Sequence, residues 1–375
     1  MREGWEYKKL GEIIRPAKVV KNGEKKDLPI LSITMHDGIV LQTSRFKKTI
    51  ASVDTSTYKV VKNGQLVIAF PIDEGLIYTQ NIVEAGIMSP AYNIWDVDFT
   101  NINRQFLTIY LHCPYAMNYY KSKLRGTTMR RRSIPREDLL NMPLPVPSLS
   151  TQESIVSELD KINELISLKK EQLKDYDNLA QSIFYDMFGD HTNRSKLKDI
   201  VDFQSGLVNP LEEPYCNMIH VGPANIESNT GKLIDLKTAK EERLISGKYL
   251  FDSSMILYSK IRPNLNKVTI ADFKGICSAD MYALIPKECI DKHYLLFLLK
   301  QKDFLDYAIL NSGRANIPKI NRIALLNYEA ILPPLPLQQA FAKKIEAIEQ
   351  QKQLISSEIK DLETLLASRM QYWFD

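Results

Sequence analysis

The sequence predicts an α+β protein built twice over: two similar globular domains joined by two long helices that form an antiparallel coiled coil, as a pseudo-two-fold internal repeat. Three observations carry this. The 375-residue chain repeats its own segments once, in the same order. Each copy ends in a long stretch whose apolar residues recur at spacings of four and three. A proline-rich step precedes each such stretch. The predicted division is 1–147 for the first globular domain and 148–190 for the first long helix. The second domain then occupies 191–335 and the second helix 336–375.

The repeat comes first because it organises everything else. "KKLGEII" at 8–14 returns as "SKLKDIV" at 195–201, and "GIMSPAYNIW" at 86–95 as "GICSADMYALI" at 275–285. "RQFLTIYLHCPYAMNYY" at 104–120 returns as "KHYLLFLLKQKDFLDYA" at 292–308. "RGTTMRRRSIPREDL" matches "SGRANIPKINRIAL", and "MPLPVPSLSTQESI" matches "AILPPLPLQQAFAKKI". The separation drifts only between about 183 and 189 residues. Five pairs in one register indicate two copies of one unit.

Within each copy, β-branched and aromatic runs such as "QLVIAF" (65–70) and "SMILYSKI" (254–261) alternate with turn residues and predict strands. One helix is expected over 104–120 and its counterpart over 292–308. Pro143, Pro145 and Pro147 then stop the first domain, as Pro333, Pro334 and Pro336 stop the second. Ser150 or Thr151 can cap the first long helix. Its seam is Ile155, Leu159, Ile162, Ile166, Leu173, Tyr176, Ala180, Ile183 and Met187. The second seam is Phe341, Ile345, Ile348, Ile355, Ile359, Leu362, Leu366 and Trp373. Lys169 and Lys352 interrupt them. A seam lysine either fixes register or snorkels outward and fixes nothing. A helix of this kind, about 54 Å long at 1.5 Å per residue, needs a partner for its apolar face. Two of equal length in one chain should pair antiparallel. The alternative is that each packs on its own domain.

Composition excludes several classes of function. Hydrophobic residues make up 44% and charged residues 25%, as in ordinary globular proteins. No apolar run approaches a membrane span and the first residues lack a signal-peptide core, so a soluble, cytoplasmic protein is expected. Cys113, Cys216, Cys277 and Cys289 form no C-x-x-C pair, and the five histidines are scattered, so neither a disulfide nor a metal site is expected. No phosphate-binding loop or dinucleotide fingerprint is present. "VNPLEEP" at 208–214 departs from the Asn-Pro-Pro-aromatic pattern of amino-methyltransferases and reads as a turn.

The net charge of +4 allows a nucleic-acid partner without requiring one. Its placement is more telling. Lys121, Lys123, Arg125, Arg130, Arg131 and Arg132 cluster with no acid between them, around Thr127 and Thr128. The matching loop of the second copy carries Arg314, Asn316, Lys319 and then Arg322. The second copy adds "YSKIRPNLNKV" at 258–268, with Lys260, Arg262, Asn264 and Lys267, where the first copy has the non-basic "AFPIDEGLIYTQN". Arg and Lys grip phosphates, while Arg and Asn can also read guanine and adenine edges. One such loop alone reads as a solvated charge run or a protein contact. Its recurrence at one place in both copies suits a bipartite reader of double-stranded DNA.

The opening "WEYKKLGEI", "GIMSPAY", "GTTMRRRSIP" and the step into "QESIVSEL", all duplicated in order, resemble the specificity subunit of type I restriction–modification systems. The resemblance covers essentially the whole chain. It implies two target-recognition domains, each reading half of a split asymmetric site, and a helical spacer that docks two methyltransferase subunits. It also implies no catalysis in this chain. S-adenosylmethionine, ATP and Mg would sit on partner subunits, which restriction subunits could join. On this resemblance the DNA-contacting residues would be Lys123, Arg125, Thr127, Thr128, Arg130, Arg131, Arg132, Lys260, Arg262, Asn264, Lys267, Arg314, Asn316 and Lys319. The alternative is a non-catalytic coiled-coil scaffold that joins two protein-binding domains.

Overall fold

The computed structural model describes residues 4–23, 28–35, 37–45, 54–125, 133–313 and 316–374. The chain falls into two compact units. One is Met1–Glu171 with Ser356–Asp375, the other Gln172–Ile355. The division cuts both long helices, so each unit holds part of each.

The two units share a topology. In the first, a four-stranded antiparallel sheet has the order Ile14–Pro16, Asn93–Val97, Leu66–Ile68, Ile77–Thr79. In the second the order is Val201–Phe203, Met281–Pro286, Ile256–Ser259, Val268–Thr269, again antiparallel. Leu66–Ile68 and Ile256–Ser259 are buried at every position, which explains their continuous apolar runs in place of alternation. A second, two-stranded sheet ties the start of each unit to the step before the long helix. Glu6–Lys9 pairs with Pro143–Val146, and Arg194–Lys196 with Glu329–Ile331. The prolines at 143 and 145 therefore lie within a strand, where a two-stranded sheet tolerates their missing N–H groups. The second unit also has a five-stranded sheet containing the one parallel pairing among the described strands, Ile219–Val221 against Gly275–Cys277.

The single helix expected over 104–120 is two helices, Arg104–Leu111 and Pro114–Lys123. Pro114 forces the break: it has no N–H, and its ring would strike the carbonyl one turn back. The Cys113 thiol caps the new start by accepting from the Ala116 N–H at 3.5 Å. The counterpart is likewise split, into Lys292–Lys300 and Lys302–Leu310. No proline marks that break. Gln301 leaves the helical region, and its N–H closes the first helix on the Leu298 carbonyl at 3.1 Å.

The long helices run Leu149–Phe188 and Leu335–Phe374, 40 residues each. The first is capped by Ser148, not by Ser150 or Thr151. The Ser148 Oγ accepts from the Thr151 N–H at 3.2 Å, and the Ser148 carbonyl takes the Gln152 N–H at 2.9 Å. Pro336 lies in the first turn of the second helix, where the N–H it lacks would have had no partner. Every predicted seam residue is buried or half-buried. Within the first unit, Glu158 takes hydrogen bonds from Arg369 and from the Trp373 Nε1 at 3.1 Å, and Lys169 pairs with Glu358 at 2.7 Å. Within the second, Lys352 pairs with Asp177 at 2.8 Å, and the Phe184 and Phe341 rings lie 5.8 Å apart. Rising numbers on one helix meet falling numbers on the other, so the pairing is antiparallel in both units.

Lys169 and Lys352 thus do more than snorkel, because each reaches a carboxylate on the facing helix. Burial opposes the charge of Lys352, but the hydrogen bonds it donates to Asp177 and Glu349 outweigh it and hold the pKa above the usual lysine value. The ends of both helices also pack on the globular cores. Ile155, Leu159 and Phe374 join the first core, and Phe184, Phe188 and Phe341 the second.

One buried glutamine per unit fixes the helix start. Gln152 is fully buried; its Nε2 donates to the carbonyls of Asn101 (3.0 Å) and Pro147 (2.8 Å), and its Oε1 accepts from the Asn103 N–H at 2.7 Å. Gln338 repeats the pattern with Cys289 (3.1 Å), Pro333 (2.7 Å) and the Asp291 N–H (2.9 Å). Asn103 and Asp291 are themselves the N-caps of the preceding helices. Gln152→Leu keeps the volume and strands three backbone groups. A buried group left unsatisfied costs about 1–3 kcal/mol, so urea unfolding of this variant is expected to show at least that loss. A variant with wild-type stability would mean that water replaces the side chain.

Candidate nucleic-acid interface

In the second unit, strand Ile256–Ser259 runs out into a turn at Lys260–Lys267. Arg262 and Asn266 there adopt left-handed backbone angles (φ 48° and 46°) on either side of the 3-10 turn Pro263–Leu265. The segment 312–320 lies alongside. The Arg262 N–H donates to the Pro318 carbonyl at 2.7 Å, and the Ile320 N–H to the Lys260 carbonyl at 3.0 Å. Ile261 and Lys319 form an antiparallel bridge. The two basic stretches picked out in the sequence are therefore one surface, joined through their backbones.

Side chains divide into two groups on this surface. Arg262, Asn264, Asn316 and Lys319 are exposed. Lys260 and Lys267 turn inward. Lys260 donates to the Ala279 carbonyl, stands 4.0 Å from the Asp280 Oδ1 and 5.4 Å from the Tyr282 ring centre. Lys267 donates to the Pro223 carbonyl at 2.7 Å. Lys319 shares Asp280, at 3.8 Å. Burial depresses the pKa of Lys260 and the neighbouring Lys319 ammonium adds to that, with Asp280 partly offsetting both. Two ammonium groups on one carboxylate leave a net positive patch.

In the first unit, Lys123 ends helix Pro114–Lys123 with its Nζ 5.9 Å from the Tyr119 ring centre. Arg125 is 77% exposed at its side chain and lies 3.4 Å from Asp138. Its backbone exchanges hydrogen bonds with Ser133 at 3.1 and 3.2 Å, which closes the neck of the loop between them. The Lys319 N–H closes the matching loop on the Ser312 carbonyl at 2.8 Å. Thr127, Thr128, Arg130, Arg131, Arg132 and Arg314 lie outside the described residues. The first-unit counterpart of 258–268 keeps the same frame. A 3-10 turn, Ile72–Glu74, packs on helix Pro114–Lys123 just as Pro263–Leu265 packs on Lys302–Leu310. It has no basic side chain.

Two residues near these loops were not singled out as contacts in the sequence. Arg136 and Arg322 each open a short helix, Arg136–Leu140 and Arg322–Leu326, and each is exposed. The Arg136 guanidinium lies over the Trp95 ring at 5.4 Å, and that of Arg322 over the Phe203 ring at 4.2 Å. The signal that could have found them is the alignment of "REDLL" with "RIALL". Among the described residues no group of three or more His, Cys, Asp or Glu side chains could hold a metal ion, and no helix is long and apolar enough to cross a membrane.

Comparison with known proteins agrees with the duplicated architecture. The family model "Type I restriction modification DNA specificity domain" matches twice, at residues 2–175 and 190–364. The chain is 40% identical over 153 residues to the type I restriction enzyme EcoDI specificity subunit of Escherichia coli, a match covering 41% of this chain and 34% of that protein. It is 24% identical over 394 residues to the MjaVIII specificity subunit of Methanocaldococcus jannaschii, covering 92% and 86%. Its fold resembles a chain from work described as "Structural basis underlying complex assembly and conformational transition of the type I R-M system". That match has TM-score 0.61 and 17% identity, and covers 100% of this chain and 98% of the other. It also resembles the type I restriction-modification S subunit from M. genitalium, with TM-score 0.53, 13% identity and coverage of 99% and 96%. With the family model matched over both copies of the repeat, this chain belongs to the type I restriction–modification DNA specificity family.

Proposed function

We propose that this chain is the DNA-reading subunit of a type I restriction–modification complex. Each unit reads one half of a split, asymmetric site, and the paired helices set the distance between the halves. The observation that carries this reading is one frame used twice with different surfaces. The loop neck and the adjoining 3-10 turn recur in both units, while their exposed side chains differ. Identical surfaces would suit a palindrome; divergent ones suit two unlike half-sites.

The chain performs no bond-making step in this account. Its arginines, lysines and asparagines bind and orient the duplex, with phosphates fixing register and base edges giving specificity. Two methyltransferase subunits dock on the long helices and their flanks, and restriction subunits can join them. S-adenosylmethionine, ATP and Mg are held by those partners.

The test is modified-base sequencing of DNA from cells that carry this chain and its methyltransferase, against cells with the chain deleted. Methylation of one split motif is expected to disappear on deletion. The purified complex should lose DNA affinity steeply as salt rises, because each neutralised phosphate releases counterions. Unchanged methylation together with salt-insensitive DNA association would leave the scaffold reading instead.

A further inference from the structure

The first unit has no basic side chain in its counterpart of 258–268, where the second has Arg262, which taken alone gives the two units different means of meeting DNA. Arg136 and Arg322 remove that asymmetry. They occupy equivalent places, at the first residue of the short helix that follows each basic loop. Each guanidinium lies over an aromatic side chain of its unit's four-stranded sheet: Trp95 on Asn93–Val97, and Phe203 on Val201–Phe203. Among the described residues, neither guanidinium has a hydrogen-bond acceptor or a carboxylate partner. This is unlike Arg125, Arg369 and Arg104, which meet Asp138, Glu158 and Asn63.

An arginine is normally costly to immobilise because of its rotamer freedom, but its planar fork loses less when already braced. Stacking on a ring supplies that bracing while leaving the N–H edge open. Beside Arg136 is a hollow of about 410 Å³ lined by Trp95, Phe70, Ile68, Asn93, Lys59 and the loop-neck residue Ser133. Lys59 adds an ammonium to the lining, with one of its donors already given to the Tyr92 carbonyl at 2.6 Å. The hollow therefore combines an apolar floor, one open guanidinium edge and one asparagine amide beside the basic loop.

We infer that Arg136 and Arg322 are an equivalent pair of DNA-contacting residues, one per unit, each offering its braced guanidinium edge to two adjacent acceptors on the duplex. Those acceptors are either the O6 and N7 of a guanine or two phosphate oxygens. Trp95 and Phe203 are positioning residues that hold the forks. This rests on the DNA-reading function proposed above and adds a pair outside the DNA-contacting residues that the resemblance implies.

The experiment makes Arg136→Ala, Arg322→Ala and the charge-preserving Arg136→Lys in the full chain, co-expressed with its methyltransferase. Modified-base sequencing then gives the motif, and binding to duplex carrying that motif is titrated with salt. Base readout predicts that Arg136→Ala relaxes one position in one half-site and Arg322→Ala one position in the other. The corresponding loss of affinity for the intact motif is roughly tenfold or more, and Arg136→Lys shares it because lysine lacks the fork. Phosphate contact predicts an unchanged motif, uniformly weaker binding and a salt slope smaller by about 1. Either result supports the pair. Unchanged motif, affinity and slope in variants that still assemble would overturn it, as would loss of methyltransferase capture with DNA binding intact. If instead no split motif depends on the chain at all, it is the DNA-reading function that fails, and the wild-type control shows this directly.

Discussion

Phe341→Ala should be the most damaging single side-chain truncation in the second unit. Phe341 is fully buried at the start of the second long helix. Its ring centre lies 4.8 Å from Phe297, 5.3 Å from Phe188, 5.8 Å from Phe184 and 5.9 Å from Tyr294. These rings come from both long helices and from helix Lys292–Lys300, so Phe341 joins three elements at once. Truncating a core phenylalanine costs about 3–5 kcal/mol. Mostly edge-to-face geometry here adds a share that area alone does not count. A chain of two units need not unfold in one step, so a single melting temperature would blur the result. Amide hydrogen exchange resolves it. Protection of core amides in Ile256–Ser259 and Lys292–Lys300 should fall by roughly two orders of magnitude or more, at tenfold per 1.4 kcal/mol. Amides of Leu66–Ile68 and Arg104–Leu111 should keep theirs. Equal losses in both units would show that they unfold as one body. A loss under tenfold would show that the cluster collapses around the gap.

The repeat gives this residue a smaller counterpart. The equivalent position in the first unit is Ile155, also fully buried, and there Phe374 supplies the ring. Phe374 is itself the counterpart of Phe188, so the second unit packs one ring more at this end. The seams were legible along their length, but the rings packed beside them were not. Spacings of four and three identify Ile162 to Ile166 and Ile348 to Ile359 because one partner helix faces them along that length. Near the ends the partner is a globular core. The buried face turns away from the heptad line, as a straight helix drifts by about 20° per heptad, and it takes in Phe184 and Phe188 beside the seam residues Ile183 and Met187. Gln152 and Gln338 were hidden for another reason. A glutamine in the polar first turn of a helix reads as solvated, and only the fold brings three backbone partners to it.

The site was legible in composition and not in assembly. Basic loops at 121–132 and 312–322 stand out in any charge plot. That 258–268 joins the second of them depends on backbone bonds such as Arg262 to Pro318, which leave no trace in side-chain pattern. Nor does sequence separate Arg262 and Lys319, which face outward, from Lys260 and Lys267, whose ammoniums are taken up by backbone carbonyls. Arg136 was obscured by its neighbours. In "REDLL" it precedes two acids and reads as the charged first turn of a helix, until Trp95 is found beneath it.

Ile166→Pro should be the substitution that ends the function of both units together. Ile166 is a buried seam residue midway along Leu149–Phe188, one turn before Lys169 and its bond to Glu358. Proline there removes the N–H that bonds to the Ile162 carbonyl, and its ring strikes that carbonyl, at a cost of about 3 kcal/mol or more. The bend it imposes also carries Lys169 away from Glu358. Ile166→Val is the control, since it keeps the N–H and costs about 0.5–1.5 kcal/mol. If the helices set the distance between half-sites, the proline variant should abolish methylation of the whole split motif, whereas the valine variant should leave it intact. The contrast with the arginines is what makes the test informative. A change at Arg136 should alter one half of the motif and spare the other, because reading is local to a unit. A break at Ile166 cannot be confined in that way, because spacing belongs to both halves at once. Continued methylation of the motif at unchanged spacing in Ile166→Pro would show that something other than this helix holds the two readings apart.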